Sequence, residues 1–312
     1  MPALSATLLA TVALGSAWGA GAMLRAAWPS RAPATAILLW QSLGLAGGVS
    51  AVGALLAFGT ETPRSTIIGT LADRVAAGRL IPPRSSFLTE TFQIACLAAG
   101  AALLALLCWV LVGASAAVIR ARRRQRELLA LLAHGDPKVP GALVVDHPAA
   151  AAYCLPGLRS KIVVSMGTLD LLCPAELDAV LAHERAHLRE RHDLVLLPFT
   201  SLRRAFPRSR LILHSLLAVG LLIEMLADDR ARRARPARER ELATALLRFG
   251  SSGSGCDAPV GALAAGAGDI TARVNRLLSP PPPLARHCQM AVCLGAVALT
   301  AVPIALLIYP IA

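Results

Sequence analysis

The chain has 312 residues, 55% of them apolar and 16% charged, with a mean hydropathy of +0.60 and a formal net charge of +12. So apolar a composition with so few charges excludes an ordinary soluble globular domain and points to a membrane protein. The excess charge is arginine beside apolar segments. With 4% aromatic residues, no helix-turn-helix signal and no zinc-finger spacing, it argues for topology and lipid attraction and against direct nucleic-acid binding.

In chain order, segments 3–24, 34–58, 92–119 and 288–311 contain no Asp, Glu, Lys or Arg and are long enough to span a bilayer. No basic residue precedes Arg25, so the first segment reads as an uncleaved anchor rather than a signal peptide. Arg25 and Arg31 follow the first span, Arg120, Arg122, Arg123, Arg124 and Arg126 follow the third, and Arg273, Arg276 and Arg286 precede the fourth. Alternating spans put all of these on one side, which the positive-inside rule makes cytoplasmic. The expectation is a multi-pass cell-membrane protein with both termini and the 59–91 loop external. Residues 1–119 then hold three spans, residues 120–287 form a cytoplasmic domain, and residues 288–312 carry the last span.

Within the cytoplasmic part, a basic helix is expected near 120–134, followed by strands at Gly141–Asp146, Ala151–Leu155 and Lys161–Ser165. The strand with Ile162, Val163 and Val164 is the candidate substrate-binding edge, where a peptide would add as a further strand. A helix opens at Pro174 with Glu176 in its first turn, and Leu177, Val180, Leu181 and Leu188 give it one apolar face. A second, apolar helix spans 211–227. It is read as part of the domain, because as a span it would throw the arginines of 230–240 outside. A helix near 238–249, a Gly/Ser loop at Gly250–Gly255 and a proline spacer at Pro280–Pro283 complete the domain. The seven cysteines include no C-x-x-C pair, so no disulfide scaffold or structural zinc cluster is indicated.

The chemistry lies at His183, Glu184 and His187, an H-E-x-x-H pattern on the Pro174 helix. Residues four apart share a helix face, so both imidazoles can bind one metal ion while Glu184 takes the proton of a water activated there. Charged residues crowd the end of this helix, which keeps it out of hydrocarbon. A tetrahedral catalytic zinc needs a third protein ligand. Glu224, a carboxylate ending an apolar helix, is the candidate. Asp228, one turn on, is placed to hold the distal N–H of a ligand histidine. His192 is read as pairing with Asp193, His214 as a core histidine and His287 as a boundary residue.

These residues resemble the BlaR/MecR-type membrane zinc peptidases. The likeness covers most of the chain: four spans, a cytoplasmic domain between the third and fourth, the run Tyr153–Ser165, and His183, Glu184 and His187 followed by Glu224 and Asp228. It implies an α-helical membrane protein with four transmembrane helices and an α+β, gluzincin-like zinc-peptidase domain built on a small sheet and the HExxH helix. It also implies one zinc per chain on His183, His187 and Glu224, Glu184 as general base, and Asp228 orienting a ligand. The expected partners are the lipid bilayer and a protein substrate, a winged-helix repressor of the BlaI/MecI kind. Those sensors carry a penicillin-binding domain after the last span, where this sequence ends at Ala312, so covalent antibiotic sensing is not expected. Two other readings stay open: a non-catalytic transducer with a structural zinc site, and a broad-specificity quality-control protease.

Overall fold

Long runs of Ala, Leu and Gly without ionisable groups must satisfy their own backbone hydrogen bonds, and this chain does so in helices. The computed structural model describes residues 2–60, 69, 76, 87–137, 139–155, 160–251 and 267–308. Most of the 59–91 loop and the Gly/Ser stretch beyond Ser251 lie outside them. Among the described residues, α1 (Pro2–Arg25), α2 (Pro33–Thr60) and α3 (Phe87–Leu132) precede a four-stranded sheet. The sheet contains β1 (Ala133–Gly135), β2 (Ala142–Val145), β3 (Ala152–Leu155) and β4 (Lys161–Ser165). Then come α4 (Met166–Leu171), α5 (Pro174–Glu190), α6 (His192–Ala205), α7 (Arg210–Ala234), α8 (Glu239–Ser251), α9 (Ala267–Leu278) and α10 (Arg286–Ile308).

Five of these helices are long and apolar enough to cross a membrane: the four expected segments, within α1, α2, α3 and α10, and also α7. The third apolar segment and the basic helix after it are one uninterrupted α3 of 46 residues. A change of composition at Arg120 does not break a helix that has neither Gly nor Pro there. Gly59 and Gly100 let α2 and α3 close on each other. A Cβ at Gly59 would lie 2.5 Å from the Leu97 Cγ, and one at Gly100 would meet Leu55 and Leu56.

The sheet order is β1-β2-β4-β3, with β2 and β4 parallel and the outer pairs antiparallel. Ile162, Val163 and Val164 of β4 are therefore central and buried, with 5%, 1% and 0% exposure. The expectation that they form a free substrate edge is corrected: both edges of β4 are already paired, and the open edge on that side belongs to β3. Val164→Ala should act through the core, lowering stability by on the order of 2 kcal/mol with little change in KM. Thermal unfolding alongside peptide kinetics checks this.

Two cores meet at the middle of the molecule. In the first, Ala142, Ile162 and Val164 of the sheet pack on α5, α8 and α9. The second joins Phe199 of α6 and Leu216, Val219, Leu222, Ile223 and Leu226 of α7 to Ala20, Ala36, Ile37, Trp40 and Leu43 of α1 and α2. Trp40 and Phe199 meet edge to face at 6.5 Å, and the Gln41 amide donates to the Val195 carbonyl at 2.7 Å. A four-residue turn joins α6 to α7. The start of α6 returns to the end of α7 through Glu190, which contacts both His192 and Arg230. The two helices thus form a hairpin laid along the apolar helices. The Arg122–Asp193 ion pair ties its first turn to α3.

Candidate metal centre and active site

The geometry of α5 follows from its ends. Pro174 supplies a first position without an N–H, and Glu176 accepts from the Cys173 backbone N–H at 2.9 Å while pairing with Arg248 at 3.0 Å. Arg191 closes the helix in the left-handed region at φ 50°, so the chain turns at once and α6 begins at His192.

On the face of α5 toward α7, His183 Nε2 and His187 Nε2 are 3.0 Å apart. Glu224 Oε2 lies 3.3 Å from the first and Oε1 3.5 Å from the second. The ligand atoms of these three residues all lie within 4.8 Å of one another. A tetrahedral zinc bonded at about 2.0–2.1 Å would hold its ligands roughly 3.3 Å apart. Two neutral imidazoles and a carboxylate at that spacing fit the ion. Glu184 lines the same cavity.

Each ligand histidine is held from behind. Asp228, 1% exposed, places Oδ1 2.8 Å from His183 Nδ1. Its charge is met by Arg273 of α9, whose Nε and Nη2 donate to the two Asp228 oxygens at 2.9 and 2.8 Å. Arg273 Nη1 also lies 3.0 Å from Glu224. On the other side, His192 Nδ1 faces His187 Nδ1 at 3.0 Å. The expected His192–Asp193 pair is thus replaced: Asp193 serves Arg122, and His192 turns to the site. His214 is exposed rather than a core histidine.

Burial pulls against the charge of His183, but its hydrogen bonds to Asp228 and Glu224 and the charge of Asp228 hold it up at about 10. Burial raises the Glu184 carboxyl above its usual range, against the pull of His187 and His183. A raised pKa makes it a stronger proton acceptor. Burial, then the neighbouring His187, push His192 down to about 4, so it is neutral at physiological pH. Burial opposes the charge of Arg273, yet Asp228 and Glu224 hold it above the ordinary arginine value. In the metal-free protein, His183 therefore contributes stability fully below its unfolded value of about 6.5, and that contribution is lost as pH rises through about 10. A zinc ion bound at His183 would displace that proton. Zinc affinity, measured by chelator competition, should weaken about tenfold for each unit of pH below 9.

The ligands open into a cavity of about 420 Å3. One wall is the β3 edge, with Ala152, Tyr153, Cys154 and Leu155. The lining from α3 and the hairpin is mixed: Ala114, Val118, Leu196, Leu197, Leu217 and Leu221 form its apolar part, and Arg122, Gln125, Thr200 and Arg204 its polar part. An extended peptide can pair with β3 while its side chains meet this lining.

Residues 118–227 match the model of Peptidase family M48. The match covers about a third of the chain, from the inner part of α3 to the turn of α7 just before Asp228. It includes His183, Glu184, His187 and Glu224, and it implies a zinc metallopeptidase. No curated protein and no solved structure matches the chain. Arg273, which completes the site from α9, lies outside the matched segment. Sequence reasoning did not single it out, since nothing local marks one arginine among many. The other missed element, the β3 edge, was within reach only through strand order.

Zinc on His183, His187 and Glu224 would supply Lewis-acid activation of a water and of the peptide carbonyl. Glu184 would take the proton of that water and pass it to the departing amine. Asp228 and His192 face the ring nitrogens turned away from the ligand cluster, and β3 could offer its backbone to align a peptide.

Proposed function

We propose that this chain is a membrane-embedded zinc endopeptidase of the BlaR/MecR type, cutting a cytoplasmic winged-helix repressor in a signalling pathway. The observation that carries the reading is the triangle of His183, His187 and Glu224 beside Glu184, set between the β3 edge and a wall from α3 and the α6–α7 hairpin. The edge suits an unfolded peptide loop rather than a folded surface. The apolar part of that wall favours bulky apolar side chains beside the scissile bond.

With α1, α2, α3 and α10 read as four spans, the positive-inside rule favours a cytoplasmic catalytic domain and external termini. The fifth apolar helix, α7, is read as one arm of a hairpin. Its partner α6 has 14 residues, about 21 Å, too short for a hydrocarbon core of about 30 Å. The far end of α7 comes back to the start of α6, so the hairpin returns to the side it left. The active site then sits at the inner membrane surface.

The test is co-expression of the full chain with a winged-helix repressor encoded beside it, followed by immunoblotting. The repressor should be cut by the parent and left whole by Glu184→Ala and His187→Ala. An intact repressor with the parent, under conditions where the purified protein cleaves casein, would reject the substrate and keep the peptidase. Absence of zinc from the purified, folded parent supplied with zinc would reject both.

A further inference from the structure

A metal-binding imidazole needs its second nitrogen held, or its ring turns out of the coordination geometry. For His183 that partner is Asp228. For His187 no carboxylate lies behind the ring; His192 does. Its Nδ1 is 3.0 Å from His187 Nδ1, and the two rings stand at 88° with centroids 4.8 Å apart. His187 Nε2 faces His183 and Glu224, so Nε2 is its ligand atom and Nδ1 must carry the proton. An N–H needs a lone pair opposite. His192 can offer one only as the tautomer protonated at Nε2. That nitrogen is 3.6 Å from Glu190 Oε2, and Glu190 in turn pairs with Arg230.

We infer that His192 is a positioning residue for the metal: its Nδ1 accepts the His187 Nδ1–H, with Glu190 behind it at ion-pair rather than hydrogen-bond distance, so His192 takes toward His187 the place that Asp228 takes toward His183. The placement is built. His192 is 3% exposed, and the left-handed turn at Arg191 brings its ring back onto the α5 face it follows in sequence. The two relays differ in kind. A buried carboxylate stands behind one ligand and a neutral imidazole behind the other, so His187 is the weaker donor of the pair.

The inference rests on the zinc reading above, and zinc binding by the parent tests that reading separately. The full chain, purified in detergent without a metal-binding tag, is titrated with zinc against a chromophoric chelator. His192→Leu, which fills the space without an acceptor, should bind zinc about 10- to 100-fold more weakly. His192→Asn puts an amide oxygen near the Nδ1 position and should return affinity to within about threefold of the parent. Thermal unfolding of the metal-free proteins should not follow that order. Parent-like zinc affinity in His192→Leu would overturn the inference and leave the zinc site standing. If His192→Leu does not fold, nitrogen NMR of the histidine-labelled, zinc-loaded parent decides, with His192→Asn identifying the signals. An unprotonated Nδ1 on His192 supports the relay, and a protonated one overturns it. A folded parent that binds no zinc overturns the inference together with the reading beneath it.

Discussion

Glu184→Ala should lose between about a hundredfold and ten-thousandfold in kcat/KM while its zinc content stays that of the parent. The separation of the two readouts follows from where the side chain stands. Glu184 lines the cavity but is outside the group of His183, His187 and Glu224 that fits the ion. Removing it takes away the acceptor for the water proton and the donor to the leaving amine, and leaves the donor set whole. His187→Ala should lose both properties. Peptide cleavage and metal analysis on the same preparations check the pair. An alanine variant with full activity would remove Glu184 from its role, and the site would then be structural.

Arg273→Ala should lower stability by about 3–5 kcal/mol. Asp228 is buried with its two oxygens shared between His183 and this one guanidinium. Truncating Arg273 leaves that carboxylate charged without its guanidinium, and takes from Glu224 one of its three partners. Lysine cannot replace the two-pronged contact, so Arg273→Lys should recover less than half of the loss. The double variant Arg273→Leu, Asp228→Asn removes both charges and should be more stable than Arg273→Ala alone, with zinc affinity still reduced. Thermal unfolding in detergent measures the order. Equal stability of the parent and Arg273→Ala would show that the ion pair does not hold the site together.

The parts of the site that could be read from sequence are those fixed by helical spacing. His183 and His187, and then Glu224 and Asp228, are each four residues apart, so one turn of a regular helix places each pair whatever the rest of the chain does. What depends on packing between distant segments could not be read. β3 and β4 are both short apolar runs, and the strand order that makes one an edge and the other a core strand is decided by α5, α8 and α9 packing on β2 and β4. Arg273 follows a Gly/Ser-rich stretch and reaches Asp228 across 45 positions. His192 was paired with its neighbour Asp193 because adjacency in sequence was the only distance available. The α6 helix, which carries Pro198 inside it, was not among the elements expected from the sequence.

The uninterrupted α3 has a mechanical meaning. A helix does not compress, and 46 residues at about 1.5 Å each make a rod nearly 70 Å long, running from Phe87 through its apolar segment to Leu132. In its last third Arg122 pairs with Asp193, and Asp193 adjoins His192, which stands behind His187. A displacement of α3 along its axis would therefore move the Arg122–Asp193 contact, and with it the turn that carries His192. A piston stroke of one residue's rise, about 1.5 Å, is already longer than the slack in a charged hydrogen bond. The same rod supplies Ala114 and Val118 to the cavity wall, so that stroke would change the width of the cleft and the aim of His187 together.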